Sequence, residues 1–283
     1  MKKKNSFSTV ILLLFLVIGL SLLLYPSFSD YWNKKVQSYA VGNYIESVSQ
    51  LDDTKYREIL NEAMDYNQSL RNRENPYGIT EEQSALYSQM LNPFGSDIMG
   101  YIEIPSINVN LPIYHGTEET VLQVAIGHLD WTSLPVGGES SHCVMSGHRG
   151  LPSARLFTDL DQLQVGDTFM LNILDETLTY EVDQILIVLP YETEDLLIEE
   201  GKDLCTLVTC TPYGVNSHRL LVRGHRVENA EQAVTRRVTA DALRLEPIAV
   251  AVVLFFPILV LLLILSSIVE RLFRTNRKNS SGR

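Results

Sequence analysis

Residues 204–212 read Leu204-Cys205-Thr206-Leu207-Val208-Thr209-Cys210-Thr211-Pro212, and Arg219 follows nine residues after the second cysteine. The run 204–209 is apolar and rich in β-branched residues, the composition of a buried strand. Pro212 has no backbone N–H to give a neighbouring strand, so the chain must leave the sheet there. Cys210 is therefore expected at a strand end with its sulfur accessible. A further strand, 219–227, begins with the guanidinium of Arg219. Upstream, residues 143–147 read as a buried strand that ends at His148, within Ser146-Gly147-His148-Arg149-Gly150. Thiol, imidazole and guanidinium together form a set able to do acyl transfer.

Working outward, the hydrophobic period is two from residue 98 onward. Residues 99–104 and 109–114 are expected strands, 118–126 a short helix and 156–163 a helical turn. Residues 168–174 and 177–189 form a hairpin around Asp175-Glu176. Many short strands with few helices indicate an antiparallel barrel or sandwich. Residues 30–87 are polar and helical in period, with Trp32, Val36, Tyr39 and Ala40 marking one face. Residues 51–70 repeat the pattern. In Thr80-Glu81-Glu82-Gln83, Thr80 is a candidate N-cap and Gln83 its capping-box partner. Asn75-Pro76-Tyr77-Gly78 signals a turn. Two or three helices are expected outside the β-domain.

Both ends are apolar. Residues 5–29 and 247–269 carry no charged side chain. Runs of this length can cross a bilayer as helices. The first reads as a retained anchor, with a cleaved signal peptide as the alternative. Lys2, Lys3 and Lys4 precede it, and Arg271, Arg274, Arg277, Lys278 and Arg283 follow the second run. The positive-inside rule places both termini in the cytoplasm and residues 30–246 outside. That outer portion carries 15 Lys and Arg against 33 Asp and Glu, a formal charge of −18. Such a surface is wrong for nucleic acid or anionic lipid as main partner. It reads as a solvated anionic surface rather than a set of calcium loops. Three cysteines leave at least one thiol free. Cys205 and Cys210 are five apart and point to opposite faces of a strand, so Cys143 and Cys205 are read as small buried hydrophobes.

Thr206-Leu207-Val208-Thr209-Cys210 with Arg219 resembles the TLxTC…R signature of sortases, the cysteine transpeptidases of Gram-positive surfaces. Ser146-Gly147-His148-Arg149 resembles that family's histidine segment. The resemblance spans about residues 98–227. It implies a mainly β fold, a closed eight-stranded β-barrel with short helices. It implies Cys210 as nucleophile, His148 as proton carrier and Arg219 as partner of the substrate carbonyl and developing oxyanion. Thr209 and Arg223 are candidate substrate-binding residues, Arg223 because it shares a strand face with Arg219. His115, His128, His142, His218 and His225 match no catalytic position. The family chemistry cleaves a Leu-Pro-x-Thr-Gly-like sorting sequence between Thr and Gly through a thioacyl intermediate. It needs no metal or other cofactor.

Leu91-Asn92-Pro93-Phe94-Gly95 resembles the Asp-Pro-aromatic lid of class C, pilin-polymerising sortases, with Asn92 in place of the aspartate. An amide cannot make the charged contact with an arginine that aspartate would make, so the lid is expected to be weaker or held mainly by Phe94. The implied partners are pilins or other surface proteins bearing the sorting signal. The acceptor is a pilin lysine. A cell-wall precursor amine and a non-catalytic assembly role remain open. The expected organisation is tail and anchor 1–29, helical extension with lid 30–97, barrel 98–230, linker 231–246, second membrane helix 247–269 and basic tail 270–283.

Overall fold

The computed structural model describes residues 3–71 and 73–229. The linker, second membrane helix and basic tail expected from residue 231 onward lie outside these described residues. Eight strands close into a barrel in the order β1-β2-β3-β4-β7-β8-β6-β5. They are β1 (Ile98–Ile104), β2 (Val109–His115), β3 (Ile126–His128), β4 (Ser141–Ser146), β5 (Thr168–Ile173), β6 (Glu176–Val188), β7 (Asp203–Thr211) and β8 (His218–Val227). Closure leaves every one of the eight strands paired on both sides. Ile102, Ile113, Ile126, Met145, Phe169, Leu171, Leu207 and Val222 fill the interior.

Two features differ from the expected antiparallel sheet. β2 pairs β3, and β4 pairs β7, in parallel. Parallel neighbours need a crossover, and the β5–β6 hairpin lies within the one joining β4 to β7. The helix expected over 118–126 is only α4 (Glu119–Leu122), and Ile126 belongs to β3 instead. A three-residue strand is too short to show a period.

The N-terminal part is one unbroken helix, α1 (Lys3–Val48), of 46 residues, about 69 Å long at the α-helical rise. The boundary expected at residue 29 is thus a change of composition, not of backbone. The face docked on the barrel also differs from the expected one. Trp32, Val36 and Tyr39 are exposed, while Gln37, Val41, Tyr44 and Val48 are buried and Ala40 is half-buried. Polar contacts seat the helix, and hydropathy cannot flag them. Asn33 Nδ2 donates to the Ser153 carbonyl at 2.8 Å and Gln37 Nε2 to that of Val124 at 2.6 Å. Tyr44 Oη donates to the Met99 carbonyl at 2.9 Å and accepts from the Leu174 N–H at 2.7 Å.

Asp52 caps α2 (Asp53–Leu70), accepting from the N–H groups of Thr54 and Lys55. Thr80 and Gln83 form the expected capping box of α3 (Glu81–Tyr87). At the end of α3, Tyr87 reaches the barrel wall. Its hydroxyl lies 3.1 Å from His128 Nδ1 and accepts from the Gly116 N–H at 2.9 Å. His128 Nε2 lies 2.8 Å from the Ser133 carbonyl. A carbonyl only accepts, so Nε2 carries the proton and Nδ1 receives the tyrosine hydroxyl.

Neutral His128 satisfies both neighbours, and burial lowers its pKa to about 4. Between the ordinary histidine value and about 4 the unfolded chain binds the extra proton, so stability falls as pH falls. Denaturant unfolding at pH 7 and pH 4 should show wild type losing roughly 3 kcal/mol more than His128→Gln over that interval. Equal losses in the two proteins would remove His128 as the cause.

Candidate active site

Three adjacent strands assemble the site. β4 and β7 keep one register from Ser141 opposite Asp203 to Ser146 opposite Val208. The Gly147 N–H extends the ladder to the Val208 carbonyl at 3.1 Å. The Thr209 hydroxyl closes it by donating to the Gly147 carbonyl at 2.7 Å. Carried two residues further, the same register sets His148 alongside Cys210. On the other side of β7, Cys210 is paired directly with Arg219 of β8. Neighbouring strands lie about 4.8 Å apart and paired residues share a face. A histidine, a cysteine and an arginine that are far apart in sequence thus stand in one row.

The row lies on the outer face of the barrel. Cys205 and Leu207 belong to the interior cluster, whereas Val208 joins Val144, Leu196 and Leu221 in a separate outer cluster. Cys210, two residues past Val208, is only half-buried, while Cys205 is fully buried. Burial pushes the Cys205 thiol well up, which disfavours its thiolate. Pairings across β6, β8, β7 and β4 define three rows. The first is Val188, Arg219 and Cys210, completed by His148. The second is Leu186, Leu221, Val208 and Ser146. The third is Gln184, Arg223, Thr206 and Val144. An apolar strip therefore runs directly beside the reactive row, with Leu196 packed on it.

Arg219 Nη1 donates to the carbonyls of His218 at 3.1 Å and Asn216 at 3.4 Å. No carboxylate pairs with it among the described residues, so the rest of its donor fork remains available. His148 Nε2 lies 3.5 Å from Glu119 Oε2, long for a hydrogen bond, and has no closer partner. Glu119 is held by Gln123 Nε2. That bond first, and His148 second, favour its carboxylate form. Nothing in the sequence marked Glu119, because contact with His148 arises only when α4 folds beside the end of β4.

The family model for the sortase domain matches residues 102–227. A solved structure of sortase C1 from Streptococcus agalactiae is 52% identical, with TM-score 0.66, covering 68% of this chain and 100% of that one. The chain belongs to the sortase family. A solved Streptococcus pneumoniae sortase C, described for its catalysis and pilin substrate specificity, is 43% identical with TM-score 0.60, over 68% of this chain and 97% of that one. These likenesses make it a sortase of the class C type. Sortase D of Bacillus subtilis is 32% identical over 45% of this chain, and the match spans 63% of that protein's length.

Other expected site residues of this sortase are engaged internally. Thr209 is buried, and its hydroxyl ties the histidine segment to β7. Arg223 makes a bidentate contact with Asp183, at 3.0 and 3.1 Å, and donates to Glu199 at 2.8 Å. It thereby fastens the β6–β7 loop, which also carries Leu196, beside the apolar strip. Arg149 pairs with Asp161, donates to the Thr211 hydroxyl at 3.3 Å and stands 6.0 Å from the Tyr213 ring centroid. It joins the loop after His148 to the loop after Cys210. Cys143 and Cys205 are buried side by side, with sulfurs 3.4 Å apart.

In segment 91–97, Leu91 is buried at 1% exposure and roots the segment in the core. Asn92 turns back on its own loop: Nδ2 donates to Asp97 Oδ1 at 2.9 Å, and Oδ1 accepts from the Asp97 N–H at 3.1 Å. Pro93 is half-buried and Phe94 is exposed at 37%. His115, given no role in the sequence reading, brackets this segment. Its Nε2 lies 2.7 Å from the Met90 carbonyl and its Nδ1 3.1 Å from that of Asp97.

Proposed function

We propose that this protein is a membrane-anchored cysteine transpeptidase that joins pilin subunits through isopeptide bonds. The observation that carries the reading is the row of Arg219, Cys210 and His148 beside an apolar strip. An extended sorting peptide lies beside the strip of Leu186, Leu221 and Val208, along the edge of the β6–β7 loop whose Leu196 covers it. The Cys210 sulfur attacks the threonine carbonyl, and the guanidinium of Arg219 stabilises the oxyanion. His148 protonates the departing glycine amine, leaving a thioester on Cys210. It then takes a proton from the incoming lysine amine as that nitrogen displaces the thiolate and forms the new amide.

Residues 92–94 act as a lid over this path, held by the buried root at Leu91 and by His115 rather than by an arginine. The pilin acceptor is supported by the likeness to class C enzymes, one of them described for pilin substrate specificity. Among the described residues one helix is long and apolar enough to cross a membrane, which supports α1 as the anchor, with the barrel outside.

Incubation with a purified pilin bearing a sorting signal should yield polymers joined at a lysine side chain, read by tandem mass spectrometry. Phe94→Ala should raise the initial rate several-fold. Release of threonine-ended monomers alone, or transfer only to a cell-wall cross-bridge amine, would overturn the pilin assignment. A Phe94→Ala rate equal to wild type would overturn the lid.

A further inference from the structure

We propose that the mouth of the catalytic row rests on the outer leaflet of the membrane, touching it through the β7–β8 loop and the loop after His148. This inference rests on the reading of α1 as a membrane span. Because α1 is continuous, each residue along it marks a height above the end of the span. The uncharged run stops at Ser29. One residue later, Asp30 Oδ1 accepts from the Arg155 N–H at 3.0 Å, and Asn33 binds the Ser153 carbonyl. At the helical rise these contacts stand about 2 and 6 Å beyond the run. Gln37, which holds Val124, is about 12 Å up, and Tyr44, which holds Met99 and Leu174, about 22 Å up. Pro26, the one proline inside α1, precedes all four contacts, so a bend there leaves their order unchanged. Of the barrel segments that α1 grips, the loop following His148 is the one at headgroup level.

The β7–β8 loop lies against that segment. The Tyr213 ring packs so closely on Gly150 that a Cβ there would come within 2.9 Å of it. Arg149 faces the same ring. Tyr213 is 61% exposed and Val215 70% exposed, and Pro152 is exposed beside them. On α1, Phe28 and Trp32 are exposed at the same height. Exposed apolar and amphipathic aromatic side chains suit the membrane interface.

Charge selects the kind of contact. The outer portion is strongly acidic, and Arg149, Arg155 and Lys34 near the leaflet are paired with Asp161, Asp159 and Asp30, leaving Arg219 in the catalytic row without a carboxylate. One unpaired guanidinium is not a basic patch, and among the described residues no cluster of unpaired cations adjoins this loop, so the adhesion is apolar and requires no anionic lipid. A substrate held in the same leaflet then meets Cys210 close to the membrane surface.

The test uses the full chain in nanodiscs of phosphatidylcholine brominated near the glycerol end of the acyl chains. Native Trp32 in the Trp131→Phe protein reports insertion of α1. Val215→Trp and Asp175→Trp, each in a Trp32→Phe, Trp131→Phe background, report the loop and a turn far up the barrel. The Val215→Trp signal should be quenched by about half or more, as for a side chain at the acyl boundary, with Asp175→Trp unquenched and high salt without effect. A quenched Trp32 with an unquenched 215 reporter overturns the docking alone. An unquenched Trp32 overturns the membrane span and the docking with it. Loss of quenching in high salt overturns the apolar contact.

Discussion

Cys210→Ala is expected to abolish peptide transfer, lowering kcat by on the order of 10⁴-fold or more, as loss of a covalent nucleophile does. The substitution removes one half-exposed sulfur atom, so the barrel should unfold at nearly the wild-type denaturant concentration. Cys143→Ala and Cys205→Ala serve as internal controls. Both thiols sit in the interior cluster on the opposite face of β4 and β7, so their variants should keep the transfer reaction while losing some stability. Transfer measured with a fluorogenic sorting peptide and an amine acceptor separates the three. Residual activity in Cys210→Ala above the background of Cys143→Ala treated with a thiol blocker would place the nucleophile elsewhere.

Arg219→Lys is the second large effect. Lysine keeps the positive charge but loses the planar fork. Arg219 uses one arm of that fork on the carbonyls of His218 and Asn216, which fixes the other arm beside Cys210. A lysine ammonium cannot hold the loop and face an oxyanion at once. The expected loss is roughly 10²–10³-fold in kcat, the range for removing one oxyanion donor. KM should change little, because the contact strengthens only as charge develops. A Lys variant within a few-fold of wild-type kcat would mean that Arg219 supplies charge alone. A rise in KM without a fall in kcat would make it a substrate-binding group.

How far the sequence could be read depended on the range of the interaction. Cys210, His148 and Arg219 were legible because each sits at the end of a strand marked by its own composition. What was hidden was the register that joins them. No local pattern announces that β4 and β7 run parallel, since the crossover between them spans two further strands. The three residues of β3 are too few to show a period, so the local pattern of residue 126 reads as the end of a helix. On α1 the period was visible but the docked face was not, because Asn33, Gln37 and Tyr44 seat the helix through hydrogen bonds. Trp32 and Tyr39, the apolar residues that seemed to mark the face, are exposed. Glu119 carries no mark in the sequence and His115 matches no catalytic position there, because each acts on residues distant in sequence. Asn92 was readable as a departure from aspartate, yet its actual partner, Asp97 in the same turn, became plain only with the loop folded.

The most direct measurement is the mass of the intact enzyme during reaction with a Leu-Pro-x-Thr-Gly peptide, followed by proteolytic mapping of the adduct. The expected result is a gain equal to the peptide acyl group through threonine, located on Cys210 and released by an added amine with formation of a new amide. Turnover of the peptide with no covalent adduct, or an adduct mapped to Cys143 or Cys205, would contradict the assignment of Cys210 as the acyl carrier.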